Sequence, residues 1–74
     1  MNKYFLALIV LYNDIDGKYT YDLLFMACDN YDNAKKQAYN VTQMKFKDLI
    51  VREIVVMDLE EQINMMKSME KNNE

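Results

Sequence analysis

The sequence predicts a small two-layer α+β domain with the element order β-β-α-β-α. Two apolar runs separated by a turn fill the first 28 residues, which is typical of a β-hairpin. A helical pattern separates this hairpin from a third apolar run, and a second helical pattern follows that run. No repeat, low-complexity segment or Gly/Pro/Ser linker divides the 74 residues, so we expect a single domain over residues 1–74.

Residues 3–12 predict the first strand. Its side chains are apolar on both parities: Tyr4, Leu6, Leu8 and Val10 on one, and Phe5, Ala7, Ile9 and Leu11 on the other. Strands that are apolar on both faces are typical of positions where both faces are covered. We therefore expect this strand at the centre of the sheet.

The turn and the second strand follow directly. Residues 13–17 are rich in Asn and Asp, and Gly17 can take the positive φ that a turn with a bulge requires. The second strand, residues 18–28, is more polar in its first half, as expected for an edge strand.

Asp29 or Asn30 can cap the first helix. Tyr31, Ala34, Ala38 and Val41 then recur at helical spacing. A connector that includes Met44 and Phe46 leads to the third strand, residues 49–57, and we expect Phe46 to close the bottom of the core. The polar pair Arg52 and Glu53 interrupts both faces of this strand.

A capping box at residues 58–61 predicts a second helix from about residue 59 to residue 71. Leu59, Ile63, Met66 and Met69 line one face of it, with Met65 beside them. We expect Met66 and Met69 to pack in the core and Met65 to contact something outside the domain. Residues 71–74 form a polar tail that we expect to be frayed.

A helix that joins the second strand to the third requires a crossover with those two strands parallel, which puts the first strand between them in the order 2-1-3. Two helices can cover one face of this three-stranded sheet, so a homodimer or a partner protein is expected on the other. The residues predicted to bind that partner are Tyr4, Leu6, Leu8, Val10, Tyr12 and Met65.

The composition argues against catalysis. The chain has no His, Trp or Pro, and Cys28 is its single cysteine, so most side chains that carry acid-base, thiol or metal chemistry near neutral pH are missing. We predict no enzyme activity, no cofactor and no metal. One cysteine cannot form an internal disulfide, so we expect a reducing cytoplasm and a buried, unreactive Cys28.

Acidic residues offer two weak signals. The Asp14-x-Asp16-Gly17 segment invites a calcium-loop interpretation, but the carboxylates needed at both ends of such a loop are absent, so we interpret the segment as a turn. Most other candidate carboxylates sit at the two predicted helix starts, where negative charge is favoured without any catalytic role.

The apolar run after Lys3 resembles a short secretory signal, but no small-residue cleavage site follows it. Nine apolar residues are also too few to span a bilayer as a helix, which takes about 20. We therefore expect neither secretion nor membrane insertion.

A net charge of −3 favours neither nucleic acid nor an anionic membrane. Five cations are nevertheless concentrated between positions 35 and 52. They are Lys35, Lys36, Lys45, Lys47 and Arg52. A solvated helix face and the end of a helix explain them most simply, and nucleic-acid or nucleotide binding by a dimer is the alternative.

These observations favour a non-catalytic protein–protein interaction module that acts as a small inhibitor, adaptor or accessory factor. Small viral or mobile-element proteins that block a host enzyme or defence complex share this profile, which supplies a narrower hypothesis. The alternative function is the nucleic-acid or nucleotide binder that uses the basic segment.

Overall fold

A computed structural model describes residues 3–72, and the side chains of residues 3–70. The elements are β1 (Lys3–Asn13), β2 (Lys18–Cys28), α1 (Tyr31–Lys45), β3 (Ile50–Asp58) and α2 (Leu59–Asn72). The three strands form one sheet in the order β2-β1-β3. The predicted α+β class and strand order are therefore confirmed.

β1 is the centre of the sheet and is antiparallel to both neighbours, so β2 and β3 are parallel to each other. Ile9 of β1 lies opposite Asp22 of β2 and Ile54 of β3. Residues directly opposite one another in such a ladder project from the same face. The register therefore assigns every strand residue to one of two faces.

The turn between β1 and β2 holds this register. Gly17 has φ of 70°, in the left-handed region, and its N–H donates to the Asn13 carbonyl at 2.8 Å. The Asn13 side chain accepts from the Ile15 N–H, and the Asp16 side chain accepts from the Lys18 N–H, each at 3.0 Å. Asn13 and Lys18 consequently pair as the last rung of the hairpin.

A register shift interrupts the pairing of β1 with β3. Val10 pairs with Glu53 while Leu11 pairs with Val51, so Arg52 is the extra residue of a β-bulge. On the C-terminal side of the bulge the even-numbered residues of β3 face the core, and on its N-terminal side the odd-numbered ones do. Val51 and Ile54 therefore pack against the same core. The polar pair that interrupts the apolar pattern of β3 therefore marks the bulge.

α1 covers one face of the sheet. Its N-cap is Asn30, whose side chain accepts from the Asn33 N–H at 2.8 Å. The buried helix positions are Ala34, Ala38 and Thr42. Tyr31 and Val41, predicted for the inner face, are exposed, because the buried positions repeat every four residues from Ala34.

The core lies between α1 and the sheet. Its buried residues are Phe5, Ala7, Ile9, Leu11, Met26, Cys28, Ala34, Ala38 and Val56. Phe46, directly after α1, packs on the edge of this cluster, as expected. α1 runs to Lys45, so Met44 lies in the helix and not in the connector.

α2 begins directly after β3, with no connecting loop. The Asp58 side chain caps it by accepting from the Glu60 N–H at 3.0 Å and the Glu61 N–H at 3.3 Å. Every residue from Glu60 to Glu70 is exposed, so this helix adds little to the core. The prediction that Met66 and Met69 pack in the core is wrong, since 65% and 63% of these residues are exposed.

The shape reflects this arrangement. The extents are 50, 30 and 14 Å, and the shortest one is about the thickness of one sheet and one helix layer. β1 alone is about 36 Å long at a rise of roughly 3.3 Å per residue. α2 runs through Asn72, so residues 71 and 72 of the expected polar tail are helical, while residues 73 and 74 lie outside the described part of the chain.

Candidate interaction surface

The face of the sheet opposite α1 is apolar across all three strands. We call it the open face. Register assigns it Tyr4, Leu6, Leu8, Val10 and Tyr12 of β1, Tyr19, Tyr21, Leu23, Phe25 and Ala27 of β2, and Ile50, Glu53, Val55 and Met57 of β3. Glu53 is the one carboxylate in that set.

Burial separates this face sharply from the other. Phe25 is 70% exposed and Tyr4 is 69% exposed, whereas Ile9, between two open-face neighbours along β1, is fully buried. The inner residues of the open face, Leu6, Leu8 and Val10, are half-buried by the strands on either side. Nothing in the described chain covers them from above.

One end of the open face carries an aromatic cluster with a cation. The rings of Tyr12 and Tyr19 are 5.0 Å apart and tilted by 50°, a separation at which aromatic pairs attract. The Arg52 guanidinium lies 5.0 Å from the centre of the Tyr12 ring, in cation–π range. The bulge thus places a positive charge next to Glu53 at the edge of an otherwise apolar surface.

The other end of the open face meets α2. Tyr4, Leu59 and Ile63 line one shallow groove. Ile63 also belongs to the apolar side of the helix, which we call the α2 stripe: Leu59, Ile63, Met66 and Met69. The open face and the α2 stripe therefore join at Tyr4 and Ile63.

The side of α2 that faces its own sheet is mostly polar, and only Leu59 and Ile63 of the α2 stripe reach it. Glu60 and Asn64 line grooves together with Lys3 at the start of β1. At 3.6 residues per turn, Met66 lies about 160° around the helix from Asn64. The methionines of the stripe consequently point away from the chain that carries them.

Met65, the sixth residue of the predicted partner-binding set, is about half exposed. It lines a groove with Lys3 and Asp58, a different groove from the one that contains Tyr4. The structure thus brings together the five β1 residues of that set and leaves Met65 apart from them. Their role in binding stays a prediction.

The predicted basic segment is divided. Lys35, Lys36 and Arg52 line a groove between α1 and β3, together with Tyr39. Asp32 and Glu53 line the same groove and offset much of the positive charge. Lys35, Lys36 and Arg52 therefore form the compact part of the segment.

Lys45 lies at the other end of α1, where its Nζ is 3.3 Å from Oδ2 of Asp22 on β2 and 5.2 Å from the centre of the Phe46 ring. Lys47 is exposed in the connector after α1. Three of the five predicted cations thus line one groove, and Lys45 and Lys47 lie elsewhere. Their role in nucleic-acid binding stays a prediction.

The Cys28 thiol and the Asp29 carboxylate each form a hydrogen bond with a side chain of α1. The Cys28 thiol is buried and donates to Oε1 of Gln37 at 2.9 Å. Asp29 lies between β2 and α1, where Nδ2 of Asn33 donates to its Oδ1 at 2.7 Å and lowers the pKa of the carboxyl. The thiol links β2 to α1, and the carboxylate holds the first turn of the helix.

Within residues 3–72, no three His, Cys, Asp or Glu side chains cluster as metal ligands would. Over the same range no helix combines the length and apolar character needed to cross a membrane.

Comparison of the chain with protein-family models, with curated proteins and with solved structures gives no match in any of the three. The class that the geometry defines is a small α+β sheet with one helix-covered face and one uncovered apolar face.

The predicted partner-binding set omitted the members of the open face on the two edge strands, among them Leu23, Phe25, Val55 and Met57. The signal was present for β2, since Leu23 and Phe25 share parity and an antiparallel hairpin puts them beside Leu8 and Leu6. For β3 the bulge at Arg52 obscures the parity, and only the observed pairing assigns Val55 and Met57.

Proposed function

We propose that this chain is a non-catalytic protein–protein interaction module, acting as a small inhibitor, adaptor or accessory factor, and that the open face is its contact surface. The observation that carries this proposal is the exposure of a continuous apolar surface on all three strands, typified by Tyr4 and Phe25. Soluble monomers rarely expose contiguous apolar patches larger than a few hundred Å².

The size of the open face supports the proposal. Strands of this length, with a rise of about 3.3 Å per residue and a spacing of about 4.8 Å, span roughly 500 Å² when three lie side by side. Such an area is at the upper end of what a monomer leaves uncovered, and its aromatic residues are of the kind enriched in interface centres.

The chemistry of the chain supports a role without catalysis. It has no His, and Cys28 is buried with its thiol bonded to Gln37. Asp29 and Asp58 accept hydrogen bonds at the two helix starts, which accounts for these carboxylates structurally. A narrower form of the proposal is a viral or mobile-element protein that blocks a host enzyme or defence complex, and a reducing cytoplasm suits its single thiol.

Site-specific photocrosslinking in the source cell tests the proposal. A benzophenone amino acid replaces Phe25 on the open face in one variant and Met44, which is 77% exposed on α1, in the matched control. We expect a discrete covalent adduct from position 25 and none of that mass from position 44. Equal adducts from both positions, or none from position 25, would contradict the proposal.

A second candidate function, nucleic-acid binding, has one observation in its favour. The groove between α1 and β3 brings Lys35, Lys36 and Arg52 beside Tyr39, which combines cations with an aromatic ring as single-strand binders do. Replacing these three cations with Gln should weaken binding of a labelled single-stranded oligonucleotide and flatten its salt dependence. Lys45→Gln, at the other end of α1, is the matched control.

A further inference from the structure

We propose that the occupant of the open face is a second copy of this chain, and that the α2 stripe of each copy lies against its partner. This inference rests on the proposed function, because it names the partner of the same surface. Its starting point is the junction at Tyr4 and Ile63, where the open face and the α2 stripe become one surface.

The combined area of the open face and the α2 stripe suits a stable interface. Stable interfaces bury about 600–1,000 Å² on each partner, and the open face alone spans roughly 500 Å² at standard strand dimensions. The α2 stripe adds roughly 200 Å², since a 14-residue helix is about 21 Å long and about 10 Å wide. A partner that covers both surfaces therefore falls within the range of stable interfaces, and one that covers only the sheet falls below it.

Its own chain covers only part of the α2 stripe. Leu59 and Ile63 line a groove with Tyr4 of β1, whereas Met66 and Met69, further along the helix, are 65% and 63% exposed. An amphipathic helix is expected to bury its apolar side. A second copy that covers the open face and continues past Tyr4 onto α2 would bury both methionines.

The charges of the open face also fit a second copy. Glu53 belongs to the open face, and Arg52 lies at its edge over Tyr12, on the strand that also borders the groove beside α1. A two-fold arrangement that sets this edge against its symmetry mate pairs Arg52 of each copy with Glu53 of the other. The rest of the open face has no charge that would select an acidic or a basic partner.

Sedimentation equilibrium of the full chain tests the inference. We expect a mass of twice the 8.9 kDa chain at micromolar concentration. Phe25→Glu and Tyr4→Glu should each weaken dimerisation by at least about 100-fold, because each buries an unpaired charge. Met44→Glu, on the helix that covers the other face, should leave the dimer intact.

A matched pair of substitutions on α2 tests whether the α2 stripe lies against the partner. Met66→Glu, on the α2 stripe, should weaken the dimer by at least about 10-fold. Asn64→Glu adds the same charge to the polar side of the same helix and should have little effect. Equal effects of the two substitutions would overturn the placement of α2 on the partner.

The remaining outcomes separate the inference from the proposed function. A monomeric wild-type chain, or a dimer that both Phe25→Glu and Tyr4→Glu leave intact, overturns the inference. If the chain is monomeric and the adduct from position 25 contains a different protein, the proposal that a second copy covers the open face is wrong. The proposal that the chain is a protein–protein interaction module is then still supported. If the chain is monomeric and position 25 gives no adduct, both are wrong. Circular dichroism of each variant establishes that loss of the dimer is not loss of the fold.

Discussion

The two faces of β1 have nearly the same composition and opposite environments. Phe5, Ala7, Ile9 and Leu11 are buried beneath α1, whereas the alternate residues, from Tyr4 to Tyr12, lie on the open face. Both sets are apolar, so hydrophobicity does not distinguish them. The difference is made by what the rest of the chain can place over each face.

α1 covers one face because its buried positions are small. Ala34 and Ala38 let the helix approach the sheet closely, so Ile9 and Leu11 are fully buried. α2 has a comparable apolar side but begins directly after β3 and is exposed from Glu60 to Glu70. One helix therefore completes a core, and the other leaves most of its apolar side exposed.

The largest expected effect is on the covered face. Ile9→Ala removes a fully buried side chain and should lower the free energy of unfolding by about 2–5 kcal/mol. The matched change Leu8→Ala, one residue away on the open face, should cost much less at low protein concentration. Urea denaturation of both variants measures the difference in the free energy of unfolding. Similar losses of stability for the two variants at low protein concentration would contradict the difference in burial between the two faces.

The close approach of α1 is tested by overpacking. Ala38→Leu inserts a larger side chain where the helix meets the sheet and should destabilise the fold by about 1–3 kcal/mol. Lys36→Leu, on the exposed side of the same helix, should change stability by less than about 0.5 kcal/mol. Thermal unfolding followed by circular dichroism compares them. An unfolding temperature of Ala38→Leu equal to that of the unmodified chain would show that α1 does not pack closely against this face.

The hairpin turn decides which residues belong to which face, since a one-residue slip would exchange them. Gly17→Ala places a Cβ at a φ of 70° and should cost about 1 kcal/mol. The nearest atom to that Cβ, Oη of Tyr12, is 3.9 Å away, so the cost is conformational and not steric. Asp14→Ala, in the same turn, is the control, and equal unfolding midpoints for the two variants would contradict this account.

The smallest expected effect concerns the start of α1. Asn33→Ala removes the hydrogen bond that lowers the pKa of Asp29, so that pKa should rise toward its ordinary value. A depressed pKa stabilises the fold at pH values above the unfolded-state pKa, and this contribution is lost as the pH falls through the folded-state pKa. An NMR pH titration of the Asp29 carboxyl measures the change. An unaltered pKa would show that Asn33 is not its cause.

Local signals in the sequence predict most of this fold. Asn30, Asp58 and Gly17 have the side chain or backbone freedom that a cap or a turn requires, and each takes that role. The crossover rule then predicts the strand order. These features depend on residues close together in the chain, which is why sequence alone reveals them.

The candidate surface is less accessible to sequence reasoning. The apolar pattern of α2 is equally consistent with core packing and with exposure, and only the placement of the helix in three dimensions shows that Met66 and Met69 are exposed. The bulge at Arg52 likewise reverses the parity of β3 by a change in pairing that no residue type requires. Both depend on long-range geometry.

Methyl NMR over a range of protein concentrations tests whether a second copy covers the open face. The probes are Leu8, Leu23 and Val55 on the open face, and Ile9 and Val56 on the covered face. From low micromolar to millimolar concentration, the open-face methyl signals should shift and become shielded from a soluble paramagnetic agent, while those of the covered face stay unchanged and shielded throughout. Open-face methyl groups that remain accessible to the agent at every concentration would contradict a second copy on that surface.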